Sequence, residues 1–142
     1  MSIELTIEHL INIVRHGERA YPYEGCGFLL GQEVCGRKVV RDILPVDNAR
    51  ESEAQHNRYL IPPEAVVRAE QVAAHKGLDI VGFFHSHPDN PERPSEFDRE
   101  HAWPWYSYLI TSVQKGQGTA TAAWTLSDDR SAFYPEELIQ LP

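Results

Sequence analysis

The chain has 142 residues, 42% of them hydrophobic, and a formal net charge of −8. That length and composition suit one domain with an ordinary core, while the acidic balance and the lack of a Lys/Arg cluster exclude a nucleic-acid partner. Two cysteines, Cys26 and Cys35, are too few for a disulfide framework and lack C-x-x-C spacing, so both are expected to be reduced and buried.

The first residues, Met1-Ser2-Ile3-Glu4-Leu5, carry no basic leader, and no span has the length and apolarity of a membrane helix. The expectation is a cytoplasmic protein with no membrane association. Ile7, Leu10, Ile11 and Val14 form the stripe of an amphipathic helix over residues 6–20, with Thr6 as its N-cap. A turn at Tyr21-Pro22-Tyr23-Glu24-Gly25 leads into a short apolar strand, Cys26 to Gly31. Lys38 to Val46 reads as a second strand, and Asp47 to Pro62 as a polar loop. Pro62-Pro63-Glu64 opens a helix striped by Val66, Ala69 and Ala73 and ended by Gly77.

Residues 79–85 form a buried strand that ends in His85-Ser86-His87. Side chains alternate along a strand, so the two imidazoles point the same way. A proline-laden loop (Pro88, Pro91, Pro94) then returns the chain to a helix beginning at Ser95, which brings Asp98 into the same neighbourhood. Two imidazoles and a third protein donor leave one tetrahedral position open, the arrangement of a catalytic rather than a structural zinc. Spacing alone leaves the third donor open. Ser95-Glu96-Phe97-Asp98 is also a capping-box pattern, in which a carboxylate folded back on the helix start would miss the metal, and His101 one turn later is the rival ligand. Strands at Tyr106–Val113 and Thr119–Leu126 flank a glycine-rich connection, with one more short strand at 131–134. This order predicts an α/β (α+β) fold, a mixed sheet flanked by helices.

His85-Ser86-His87, seven residues, then Ser95-x-x-Asp98 resembles the signature of the JAMM (MPN-plus, or Mov34/PAD-one-like) zinc metalloproteases. Pro22-x-Glu24-x-Cys26-Gly27-x-x-x-Gly31 resembles the family's upstream element. The resemblance covers nearly the whole chain and implies one metalloprotease domain over residues 1–142 with a cytidine-deaminase-like curved sheet. It implies His85, His87 and Asp98 as ligands of one Zn2+ per chain, Glu24 as general acid/base and Ser95 as stabiliser of the tetrahedral intermediate.

The compact form is most similar to stand-alone prokaryotic members. Their likeness implies hydrolysis after the C-terminal glycine of a ubiquitin-like or sulfur-carrier protein, with a Gly-Gly tail lying extended beside the zinc. Trp103-Pro104-Trp105-Tyr106 either lines that groove or packs the metal helix on the sheet, and Asn57-Arg58-Tyr59 is either its other wall or solvated loop. The alternative function is a non-catalytic interaction scaffold on the same fold, a class whose members typically lose the ligands present here.

Overall fold

The computed structural model describes residues 2–47 and 61–142, so the Asn57-Arg58-Tyr59 segment lies outside the described residues. Its elements are β1 (Ser2–Thr6), α1 (Ile7–Ala20), β2 (Cys26–Val34), β3 (Arg37–Val46), α2 (Pro63–His75), β4 (Asp79–Pro88), α3 (Glu96–His101), β5 (Ser107–Gln114), β6 (Gln117–Leu126) and β7 (Phe133–Leu141). The mixed sheet with flanking helices is as expected. It goes further, because the strands close in the order β1-β3-β2-β4-β5-β6-β7. Closure depends on β1, an element not expected from the sequence. β1 inserts in parallel between β3 and β7, pairing Ser2 with Arg37 and with Glu137. β7 correspondingly runs well past Tyr134, the end expected from the sequence.

One face of the sheet carries α1. Thr6 caps it by accepting from the His9 N–H at 3.1 Å. The buried side is not the expected stripe, since Ile7 and Ile11 are exposed while Ile13 and Gly17 are buried, with Leu10 against the core. The helix rolls onto this side because Gly17 lets it approach β4 closely. A Cβ at position 17 would stand 2.9 Å from Ser86 Cβ. Ile13 packs with Leu29, Val81, Phe84 and Leu109 beneath it.

A second apolar cluster lies under α2, where Ala65, Ala69 and Ala73 meet Phe28 and Leu30. Small residues on that helix face allow close packing on the sheet. Past Val39 no described strand pairs with the outer edge of β3. On that edge the Ile43 N–H donates to Asp42 Oδ1 at 2.9 Å, and Pro45 has no N–H to offer.

Charged groups also enter the interior. Lys38 on β3 is fully buried and donates to the Trp105 carbonyl and, at 3.0 Å, to Ser107 Oγ. Ser107 Oγ in turn donates to Glu136 Oε1 at 2.5 Å, and Lys38 Nζ lies 3.9 Å from Glu136 Oε2. This network ties β3, β5 and β7 together and anchors the chain between α3 and β5. Cys26 is buried as expected, but Cys35 is exposed, because it sits at φ 52° in the turn joining β2 to β3. No helix among the described residues is long and apolar enough to cross a membrane.

Candidate metal centre

His85 and His87 project from the end of β4, and Asp98 comes from the first turn of α3. Glu24 arrives from the segment before β2 and is only 4% exposed. The structure therefore brings together four of the residues singled out by the sequence. The Nε2 atoms of His85 and His87 are 3.2 Å apart, and the Asp98 carboxylate lies 3.3 Å from the first and 3.2 Å from the second. Donors bound tetrahedrally at roughly 2.0–2.1 Å stand about 3.3 Å from one another. The edge between the two imidazoles therefore has the spacing of a zinc coordination tetrahedron, and each imidazole meets its own Asp98 oxygen at a like distance, Oδ1 for His85 and Oδ2 for His87.

The donor chemistry fits as well. His87 donates its Nδ1–H to the Pro91 carbonyl at 2.8 Å, which turns the Nε2 lone pair toward the cluster. Nothing in side-chain spacing marks Pro91 for this task, because its contribution is a backbone carbonyl. Burial holds the His85 imidazole below its ordinary value, against the opposing pull of Asp98. At His87 burial also acts downward, but the hydrogen bond and charge of Asp98, with Glu24 beyond, raise it overall. Burial works to raise Asp98, yet the two imidazoles hold its carboxyl far below the usual carboxylate range. An ionised carboxylate facing two imidazole nitrogens is the donor set that suits zinc.

Glu24, His85 and His87 form a second buried grouping, with donor atoms within 4.8 Å of one another. The centre thus holds two carboxylates, of which Asp98 stands at ligand-edge distance from both imidazoles. Cys26 is the cross-strand partner of His85. Burial, then Glu24 and Asp47, push its thiol up to about 12, so it stays protonated and offers no thiolate.

Asp98 takes up the expected helix cap and still faces the imidazoles. Asp98 Oδ2 accepts from the Ser95 N–H at 2.8 Å and Ser95 Oγ accepts from the Asp98 N–H at 3.1 Å, a complete capping box. The same carboxylate faces both imidazoles, since its two oxygens have enough lone pairs for both tasks. His101 is not at the cluster. Its Nδ1–H donates to the Phe97 carbonyl at 2.9 Å and its exposed ring stacks on Phe97.

A cleft of ≈ 470 Å³ opens over the centre, lined by Glu24, His87 and Ser95 and rimmed by Asn90 and Arg93. Beyond Asp98 lies a more apolar cavity of ≈ 210 Å³, walled by Ile61, Phe83, Phe97 and Trp103. The aromatic run takes neither expected role outright, since none of it lines the cleft over the centre. Trp103 lines this cavity and is 60% exposed, while Tyr106 packs on Phe83 and Trp105 lies against Lys38.

Residues 6–127 match the family described as prokaryotic homologs of the JAB domain. The chain is 39% identical over 105 residues to a desampylase of Haloferax volcanii, an alignment covering 73% of this chain and 71% of that one. It is 31% identical over 108 residues to a Thermus thermophilus protein named "Probable TtuB-protein conjugate cleaving protease", covering 76% of this chain and 64% of that one. A solution structure of a Desulfitobacterium hafniense protein superposes with a TM-score of 0.84 at 28% identity, over 97% of this chain and 92% of that chain.

Proposed function

Because the chain belongs to the family of prokaryotic JAB-domain homologs, we propose that it is a JAMM-type hydrolase that cleaves ubiquitin-like or sulfur-carrier protein conjugates. The bond cut is the peptide or isopeptide bond after the carrier's C-terminal glycine. The observation that carries this reading is the convergence of His85 Nε2, His87 Nε2 and the Asp98 carboxylate at 3.2–3.3 Å, beside the buried Glu24. The names of the Haloferax and Thermus relatives support the substrate class. The reading extends to one metalloprotease domain over residues 1–142, acting in the cytoplasm with one Zn2+ per chain and without nucleic-acid or membrane partners.

In this proposal His85, His87 and Asp98 hold the zinc, which when bound supplies Lewis acidity, acidifying water and polarising a carbonyl. Glu24 takes the proton of the attacking water and delivers it to the nitrogen of the leaving amine. Its burial beside the imidazoles supports this role. Ser95 Oγ uses a lone pair to cap α3, which keeps its O–H proton available to the carbonyl oxygen as negative charge develops there. A Gly-Gly tail suits the cleft because it brings no side chains into it.

The test is hydrolysis of a Gly-Gly-tailed ubiquitin-like protein joined through its C-terminus to an amine, followed by mass spectrometry. Zinc-loaded wild type should release the free tail, and Glu24→Gln should keep its zinc and lose at least about 100-fold in rate. Turnover unchanged in Glu24→Gln would sink the acid/base assignment. A zinc-loaded wild type that cleaves no such conjugate would leave the scaffold reading in its place.

A further inference from the structure

We propose that Ser86, the residue between the two imidazoles, is the positioning residue for Glu24. This inference rests on the acid/base role assigned to Glu24 above. Glu24 precedes β2 and belongs to no regular element, yet its carboxylate must stand at a fixed place beside the metal donors. Two hydrogen bonds hold the next residue in place. The Gly25 N–H donates to Ser86 Oγ at 2.8 Å, and the Ser86 N–H donates to the Gly25 carbonyl at 3.0 Å.

These bonds continue the β2–β4 pairing one step beyond Cys26 and His85, the last partners in the ladder. One further step along the same antiparallel register sets Glu24 opposite His87. The strand that carries both imidazoles therefore also fixes the carboxylate, through the one side chain that projects from the opposite face. Ser86 is itself immobilised. It is 2% exposed, and α1 closes over it at Gly17, where a Cβ would stand 2.9 Å from Ser86 Cβ and 3.4 Å from Ser86 Oγ. Gly17, Ser86 and Gly25 thus form a stack from helix to strand to the Glu24 segment. Glycine at 17 gives the helix its close approach.

A serine that merely satisfied a buried N–H would affect stability when removed and leave the chemistry alone. A positioning serine affects the chemical step while leaving metal and substrate binding intact. The experiment compares zinc-loaded wild type with Ser86→Ala and Ser86→Thr for kcat, KM and zinc content on the Gly-Gly-tailed conjugate. In parallel, the carboxyl 13C resonance of Glu24 and hydrogen exchange at the Gly25 amide are followed by NMR, with and without zinc.

Ser86→Ala should keep stoichiometric zinc and its KM, and lose roughly 10- to 100-fold in kcat, the cost of misplacing a reacting group by about an ångström. Its Glu24 resonance should shift and its Gly25 amide exchange faster, and Ser86→Thr, which keeps the oxygen, should restore both. A kcat within twofold of wild type, or an unchanged Glu24 resonance, overturns the proposal. If the wild type itself cleaves nothing, the functional reading fails, and the Glu24 resonance in Ser86→Ala still decides the tether. Should Ser86→Ala not fold, Gly17→Ala pushes on Ser86 from the helix side; a shifted Glu24 resonance there supports the tether, and an unmoved one overturns it.

Discussion

Replacing Asp98 separates the two duties of its carboxylate. Asparagine keeps an oxygen that can accept from the Ser95 N–H, now made at 2.8 Å, but loses the charge that faces the imidazoles at 3.2 and 3.3 Å. Alanine loses both. In zinc-free protein both variants lose the charge that faces the imidazoles, so Asp98→Ala should cost about 1 kcal/mol more than Asp98→Asn for the cap, or about 3 °C in Tm for a chain of this size. With zinc the order changes. Free zinc at 100 times Kd stabilises the wild type by about 2.7 kcal/mol, which is about 8 °C. Losing one of three ligands weakens binding by at least about 100-fold, so at the same zinc concentration Asp98→Asn gains only about 0.4 kcal/mol, about 1 °C. The assay is thermal unfolding with and without zinc, supported by Kd from competition with a chromophoric chelator. If Asp98→Asn kept the full zinc shift while Glu24→Gln lost it, the third ligand would be Glu24, and that carboxylate could no longer serve as the acid/base.

His101→Ala should leave the zinc shift unchanged, since His101 turns its ring to Phe97, and loss of the shift would return it to the ligand set. Alkylation of native protein should label Cys35 and spare Cys26, with both labelled after unfolding, and equal rates in the native state would contradict the burial of Cys26. Burial, first among the causes, pushes the Cys26 thiol and the Tyr108 phenol up to about 12 from ordinary values of 9.0 and 10.0. The folded state holds these protons more tightly, so the stability they supply is complete below pH 9 and drains as the pH rises toward 12. A Tm flat across that range would refute the shifts. Lys38→Met should cost about 3–5 kcal/mol in urea unfolding because it strands Glu136 without its cation, and adding Glu136→Leu should recover most of that loss. A double variant no better than the single would show that the two side chains act independently.

The sequence displays those parts of the molecule that its local pattern encodes. The clustering of His85, His87 and Asp98 is legible because strand alternation and a short loop confine them, and α2 because Ala69 and Ala73 follow helical spacing. β1 is hidden because its alternation, Ile3 and Leu5 between Ser2, Glu4 and Thr6, lasts only five residues before α1 begins. Even Ser2 and Glu4 are buried there, and the Glu4 partner, Arg37, lies on β3. The buried side of α1 is misread for a different reason. Ile7 and Ile11 advertise apolarity, but Gly17, with no side chain to notice, decides which side can approach β4. Lys38 looks like a solvated lysine because its partners Trp105, Ser107 and Glu136 are remote in sequence. Asp98 is legible as either cap or ligand, and only the placement of its two oxygens shows that one carboxylate can cap α3 and still face both imidazoles.

The outer edge of β3 bears on the company this protein keeps. Any protein that handles extended peptide tails meets backbone hungry for hydrogen bonds, and an open strand edge would collect such segments without regard to their sequence. Past Val39 that invitation is withdrawn at two alternate positions, by the Asp42 carboxylate occupying the Ile43 N–H and by the imino nitrogen of Pro45. At those two positions a visiting strand finds no free N–H to pair with. In the proposed function, discrimination is left to the cleft lined by Glu24, His87 and Ser95, where the bulk of a tail's last residues, and not its readiness to pair, decides entry.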